Sequence, residues 1–259
     1  MDRTTTVTPR IAALLEKLFE KYHTVHFIEH DPICIPHQYT QKQDIEIAAF
    51  FAAVLAWGQR KTILKKCKDL FERMDNAPYD FILNHSEKDY KALQGFKHRT
   101  FNEIDLVYFV QQLQKIYQRY NSLEPLFSVV PQSENVYEGL VRFNQIFLEK
   151  APLRTCKHIS TPLKNSACKR LNMFLRWMVR RNSPVDFGIW QTIQPAQLVC
   201  PLDIHVEHAA KQLFLMDKKT KPTWKAAVEL TAVLKKLCPE DPVKYDYALF
   251  GLSQQKLQF

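Results

Sequence analysis

The stretch Cys200-Pro-Leu-Asp-Ile-His-Val-Glu-His-Ala-Ala sets one carboxylate, Asp203, after an apolar, proline-containing approach and ahead of a segment with helical spacing. Two readings stand for that carboxylate. As a helix N-cap, its oxygens accept the unpaired N–H groups of the first turn. As the acid–base centre of an enzyme, it transfers protons or holds negative charge where a reaction develops positive charge. His205 and His208 lie three apart on one helical face, which is metal-ligand spacing, but no third ligand accompanies them. No metal is expected, and His205 is read as a structural or phosphate-facing residue. Six cysteines (Cys34, Cys67, Cys156, Cys168, Cys200 and Cys238) are scattered without C-x-x-C spacing. That pattern points to reduced thiols, several of them buried, and away from a disulfide frame, a zinc site or an iron–sulfur cluster. No cofactor is expected.

The net charge is +9, and basic residues concentrate at 59–68, 164–181 and 218–225. Three such clusters either converge on one polyanion or form three solvated helix faces. Arg176, Arg180 and Arg181 accordingly meet phosphates or project into solvent. Trp57, Trp177 and Trp190 offer either stacking faces or core.

The elements that must position these residues read as helices. With 5 glycines against 14 prolines and almost no period-two alternation, the fold class is all-α. Residues 9–23 carry apolar residues at helical spacing, with Pro9 suited to a first turn. Residues 30–39 hold two prolines and read as a loop. A long apolar helix runs from Gln41 to Trp57, stops at Gly58, and is followed by a second helix over 61–75. A short helix is expected over 78–85, another over 102–120 capped by Asn102, and a third over 134–150. Residues 156–166 read as an irregular connection, followed by helices at 166–181, 205–215, 223–237 and 242–253. The 259 residues, 46% hydrophobic and 24% charged, suffice for one compact domain, or two lobes with a cleft between them. No apolar run reaches bilayer length, and the N-terminus MDRTTTVTPR lacks a signal peptide's apolar core, so a cytoplasmic monomer without a membrane partner is expected.

Three ordered motifs carry a family resemblance. Lys169-Arg-Leu-Asn172 opens one helix, Leu202-Asp-Ile-His-Val206 opens another, and Ala56-Trp-Gly-Gln-Arg-Lys-Thr62 lies upstream. Together they resemble the helix-hairpin-helix DNA glycosylase superfamily, with a Lys-containing helix start, a VDTHV-like segment and a Leu-Ser-x-Gln-x-Thr-like turn. The interval between Lys169 and Asp203 is nearest to that of the archaeal 8-oxoguanine glycosylase branch. Over its length the chain also resembles an uncharacterised bacterial family. It departs from the superfamily in having no Gly-x-Gly in the hairpin; Leu163-Lys-Asn-Ser-Ala-Cys168 stands there.

The resemblance implies two closely packed helical lobes around a cleft, with the atypical hairpin and catalytic segment at 160–215. It implies a damaged DNA duplex as partner and excision of a base such as 8-oxoguanine. Lys169, beside Arg170, would be the amine nucleophile at C1′ of the sugar, and Asp203 would stabilise positive charge there and help transfer protons. A Schiff base formed by the lysine would permit strand cleavage by β-elimination. Gln59, Arg60, Lys61, Trp57, Arg170, Arg176, Trp177, Trp190 and His205 become DNA- or base-contacting candidates. Two other readings remain: a non-catalytic nucleic-acid-binding protein of the same fold, and a helical protein-interaction module.

Overall fold

The structure, a computed structural model, describes residues 7–255. Helix α1 (Pro9–Tyr22) opens where Thr8 accepts from the Ile11 N–H, with Pro9 in the first turn, and α2 (His26–Glu29) is a single turn. Two 3₁₀ turns, Pro32–Cys34 and Pro36–Gln38, occupy the proline-rich segment read as a loop. Then come α3 (Lys42–Leu55), α4 (Arg60–Glu72), α5 (Pro78–Asn84) and α6 (Tyr90–Leu93). A hairpin of two short strands, β1 (Lys97–His98) and β2 (Phe101–Asn102), leads into α7 (Glu103–Tyr120), α8 (Glu124–Phe127) and α9 (Tyr137–Phe147). The chain ends with α10 (Lys169–Val179), α11 (Ile204–Gln212), α12 (Trp224–Lys235) and α13 (Tyr245–Gln255). The protein is mostly helical, as its composition and periodicity predict.

The chain divides into two compact units. The middle unit comprises Ile28–Ser128 and Gly139–Ser160; of the described residues, the terminal unit comprises 7–27, Val129–Glu138 and 161–255. In the middle unit α3 is enclosed on every side beyond its first turn: Ile45 through Leu55 are all buried, and all are apolar except Glu46. Phe50 packs against Phe109, Phe143 and Phe147 at ring separations between 5.3 and 5.9 Å. Burying each such ring contributes about 2–3 kcal/mol. Two fully buried carboxylates pin this core. Glu46 accepts from the Tyr117 hydroxyl, the Ser122 hydroxyl and the Leu123 N–H, at 2.9, 2.7 and 3.0 Å. Asp105 completes a capping box with Asn102 at the start of α7 and also accepts from Arg154 and Thr155, at 2.9 and 2.8 Å.

The terminal unit is built around α13, which packs against both α1 and α11. Gly251 permits the close approach of α1, because a Cβ at that position would overlap the Tyr22 ring. Among the described residues no helix is long and apolar enough to cross a membrane, and no cluster of metal-ligating side chains occurs. All six cysteines are free thiols, with Cys67, Cys168 and Cys200 buried.

Truncating Glu46 to alanine strands three donors in the middle core, each worth about 1–3 kcal/mol. Glu46→Ala is expected to lower the unfolding free energy by about 3 kcal/mol or more, with Glu46→Gln between it and wild type. Guanidinium unfolding monitored by circular dichroism checks the order.

Candidate functional site

Lys169 and Asp203 meet in the terminal unit. The Lys169 Nζ lies 3.6 Å from Asp203 Oδ2, and the two side chains are 34% and 15% exposed. The carboxylate divides its work between its two oxygens. Oδ1 accepts from the backbone N–H groups of both His205 and Val206, each at 2.8 Å, so Asp203 is the N-cap of α11. Oδ2 faces the lysine. The cap and the charge pair therefore coexist in one side chain, and the cap holds the carboxylate in place for its neighbour.

The approach to Lys169 is unusual in its backbone. Thr161 accepts from the Leu163 N–H and starts the 3₁₀ turn Pro162–Lys164; Asn165 then enters the left-handed region at φ 54° and Cys168 at φ 49°. These are conformations that glycine adopts without strain and other residues at some cost. The turn is braced by an isolated bridge between Ser166 and Thr223, by donation from the Trp224 N–H to the Asn165 carbonyl at 3.2 Å, and by donation from Asn172 Nδ2 to the Ala167 carbonyl at 3.0 Å. No side chain caps α10, and its first turn holds Lys169 and Arg170 with no acid. Burial lowers the pKa of the half-buried Arg170 guanidinium.

Two turns further along α10, Arg176 is buried and binds the carboxylates of Asp186, at 3.3 Å, and Asp246. Arg180, also buried, binds Asp186 at 2.5 Å and Asp241 at 2.9 Å. The Tyr247 hydroxyl donates to Asp186 at 2.8 Å, and its ring lies 4.2 Å from the Arg176 guanidinium. Burial pushes the Asp246 carboxyl up to about 6; Arg176 pulls it down, and the negative charge of Asp203 adds to the rise. Helix α13 thus touches both site helices: Asp246 holds α10 through Arg176, while Phe250 and Ser253 hold α11 through His205. The His205 ring stands edge-on to Phe250 at 5.6 Å, and its Nδ1 lies 3.1 Å from the Ser253 hydroxyl.

This arrangement sorts the residues read from the sequence. Lys169 and Asp203 come together. His205 is a structural support. Arg176 is not available to a phosphate, because it is enclosed by carboxylates, and Arg180 shares that fate. Trp177 and Trp190 are fully buried, Trp177 with no acceptor for its Nε1–H among the described residues and Trp190 packed edge-on against Phe174 at 5.3 Å. Their faces are closed to an extruded base, so both are set aside as stacking candidates. In the middle unit Trp57 is half-buried, while Gln59, Arg60 and Lys61 are exposed at the start of α4. Gln59 is the N-cap residue of α4 but makes no side-chain capping bond. Sequence reasoning missed Asp246 and Ser253. Their seven-residue spacing on one face of α13 was the available signal.

The fold and site define a helical protein that brings a lysine and an aspartate together at the starts of two helices. Residues 31–255 match the family described as Protein of unknown function (DUF2400), and the chain belongs to that family. No curated protein and no solved structure matches the chain.

Because asparagine caps helices about as well as aspartate, Asp203→Asn is expected to leave stability within about 0.5 kcal/mol of wild type, whereas Asp203→Ala costs about 1 kcal/mol. Denaturant midpoints of the two variants check this. Equal losses would mean that the charge, not the cap, supports the fold.

Proposed function

We propose that the protein is a DNA base-excision enzyme of helix-hairpin-helix glycosylase type, acting through Lys169 and Asp203 on a damaged duplex. The observation that carries the reading is the 3.6 Å approach of an accessible amine to a carboxylate that is already held by its helix. An amine becomes nucleophilic on losing its proton, and Asp203 Oδ2 is the acceptor beside it. The extruded nucleotide presents C1′ to Lys169; an Nζ–C1′ bond forms as the N-glycosidic bond breaks, and Asp203 passes the proton it took from the amine to the departing base, becoming a carboxylate again. The carboxylate stabilises the positive charge that develops on the sugar in that step. Asp203 then carries a proton from Nζ to O4′ as the C1′–O4′ bond breaks and the ring opens to a Schiff base; it takes the C2′ proton as the C3′–O bond breaks and the 3′ phosphate leaves by β-elimination. The left-handed Asn165 and Cys168 support the reading further, since they give a glycine-free turn conformations that glycines would otherwise supply.

Duplexes carrying 8-oxoguanine or an abasic site are the first substrates to test, with borohydride to reduce the Schiff base. The expected result is a covalent adduct with wild type that Lys169→Gln abolishes. Asp203→Asn is expected to lose excision by about 100-fold or more while keeping DNA affinity. Salt-sensitive DNA binding without any adduct would make the protein a non-catalytic binder. Absence of both would leave the protein-interaction reading.

A further inference from the structure

The middle unit carries a basic surface, assembled from two elements that the sequence does not place together. Helix α3 ends at Leu55, and the chain turns through Trp57 and Gly58, whose φ of 108° suits glycine, into α4. The β1–β2 hairpin lies against this turn. His98 Nε2 is 3.2 Å from the Trp57 carbonyl, and the rings of Trp57 and His98 stand edge to face at 5.9 Å. Burial holds the His98 pKa below its ordinary value, so the ring is neutral near pH 7 and serves as a donor to that carbonyl. At the hairpin tip Arg99 adopts a left-handed φ of 56° and lays its guanidinium over the Trp57 ring at 4.8 Å. A Cβ at Gly58 would sit 3.0 Å from its Nη1, so Arg99 covers the entrance to α4 directly.

The result is a run of exposed cations: Arg60 and Lys61 in the first turn of α4, and Lys97 and Arg99 on the hairpin. The first turn of α4 contains no acid. The carboxylates of α4 lie toward its far end, where Asp69 binds Lys66 and Arg73, and Glu72 binds Lys68. Among the described residues no ion pair joins Lys61, Lys97 or Arg99 to a carboxylate. An aromatic plane beneath a guanidinium, flanked by Lys61 and Lys97, which pair with no carboxylate among the described residues, and by the exposed Arg60 and Gln59, presents positive charge at fixed positions to a polyanion.

We infer that Lys97, Arg99, Arg60 and Lys61 form a nucleic-acid-binding surface of the middle unit, which takes the phosphodiester backbone. The inference rests on the nucleic-acid reading of the Lys169 site but uses other residues. The hairpin supplies half of the surface, and Trp57 is its platform, positioning Arg99 in place of stacking on a base.

The test measures anisotropy of a short labelled undamaged duplex between about 50 and about 200 mM salt. It compares wild type with Lys97→Glu/Arg99→Glu and with a control of equal charge change, Lys88→Glu/Lys115→Glu. The hairpin variant is expected to bind at least about tenfold more weakly than the control and to lower the salt slope by about 2. Equal affinity and slope for the two variants would overturn the surface. So would unchanged duplex binding together with lost binding to phosphatidylserine vesicles, which would assign the cations to lipid headgroups. Circular dichroism melting within a few degrees of wild type ensures that the variant is folded. Duplex binding through the hairpin with no borohydride adduct at Lys169 would refute excision and leave this surface standing. An adduct that forms while both variants bind equally would refute the surface alone.

Discussion

Two buried guanidinium groups, one on α10 and one on the residue that ends it, constrain the terminal unit more than any other feature. Arg176 and Arg180 are each 3% exposed, and a charge so placed costs several kcal/mol unless it is surrounded by partners. Those partners come from three separate segments: Asp186 from the loop after α10, Asp241 from the chain before α13, and Asp246 from α13 itself. The loop is fastened in turn, because Ser183 accepts from the Asp186 N–H at 2.8 Å and Trp190 donates to the Met178 carbonyl at 2.9 Å. Meeting this electrostatic demand fixes the rotation of α10 about its axis. Lys169 lies seven residues before Arg176, on the same face by helical periodicity, so the network also decides where the lysine points.

Helix α13 turns that constraint into a site. One of its faces holds α10 through Asp246 and α11 through Phe250 and Ser253, so a single element references both helix starts. Asp203 then needs only to cap α11 for its second oxygen to stand beside Lys169. The middle unit follows the same logic with different groups. Glu46 and Asp105 are buried anions that gather donors from α7 and from the connection after α9. The hairpin next to that core carries Arg99 over Trp57.

Much of this was legible in the residues. Helical periodicity located α1, α3, α4, α7 and α10–α13 to within a few positions, and the cap residues Asn102 and Asp203 act as caps. What periodicity does not reveal is which polar residues on a nearly all-buried helix find partners inside. α10 buries Leu171 and Asn172 and then Phe174 through Val179 without interruption. Arg176 and Trp177 therefore look like surface ligands in the sequence, yet both are interior. The acids that neutralise Arg176 lie 10 and 70 residues away, where no local pattern links them to it. The hairpin escaped for a different reason: two residues per strand are too few to show an alternation, so the convergence of Arg99 with Trp57 is purely tertiary.

Mapping the attachment site tests most directly the central claim that α10 and α11 present Lys169 to a sugar carbon. Wild-type protein is reduced with borohydride on an 8-oxoguanine duplex, the adduct is digested, and the modified residue is located by mass spectrometry. The sugar remnant is expected on Lys169. Modification of another amine, such as Lys164, or an unmodified protein that nevertheless binds the duplex, would contradict it.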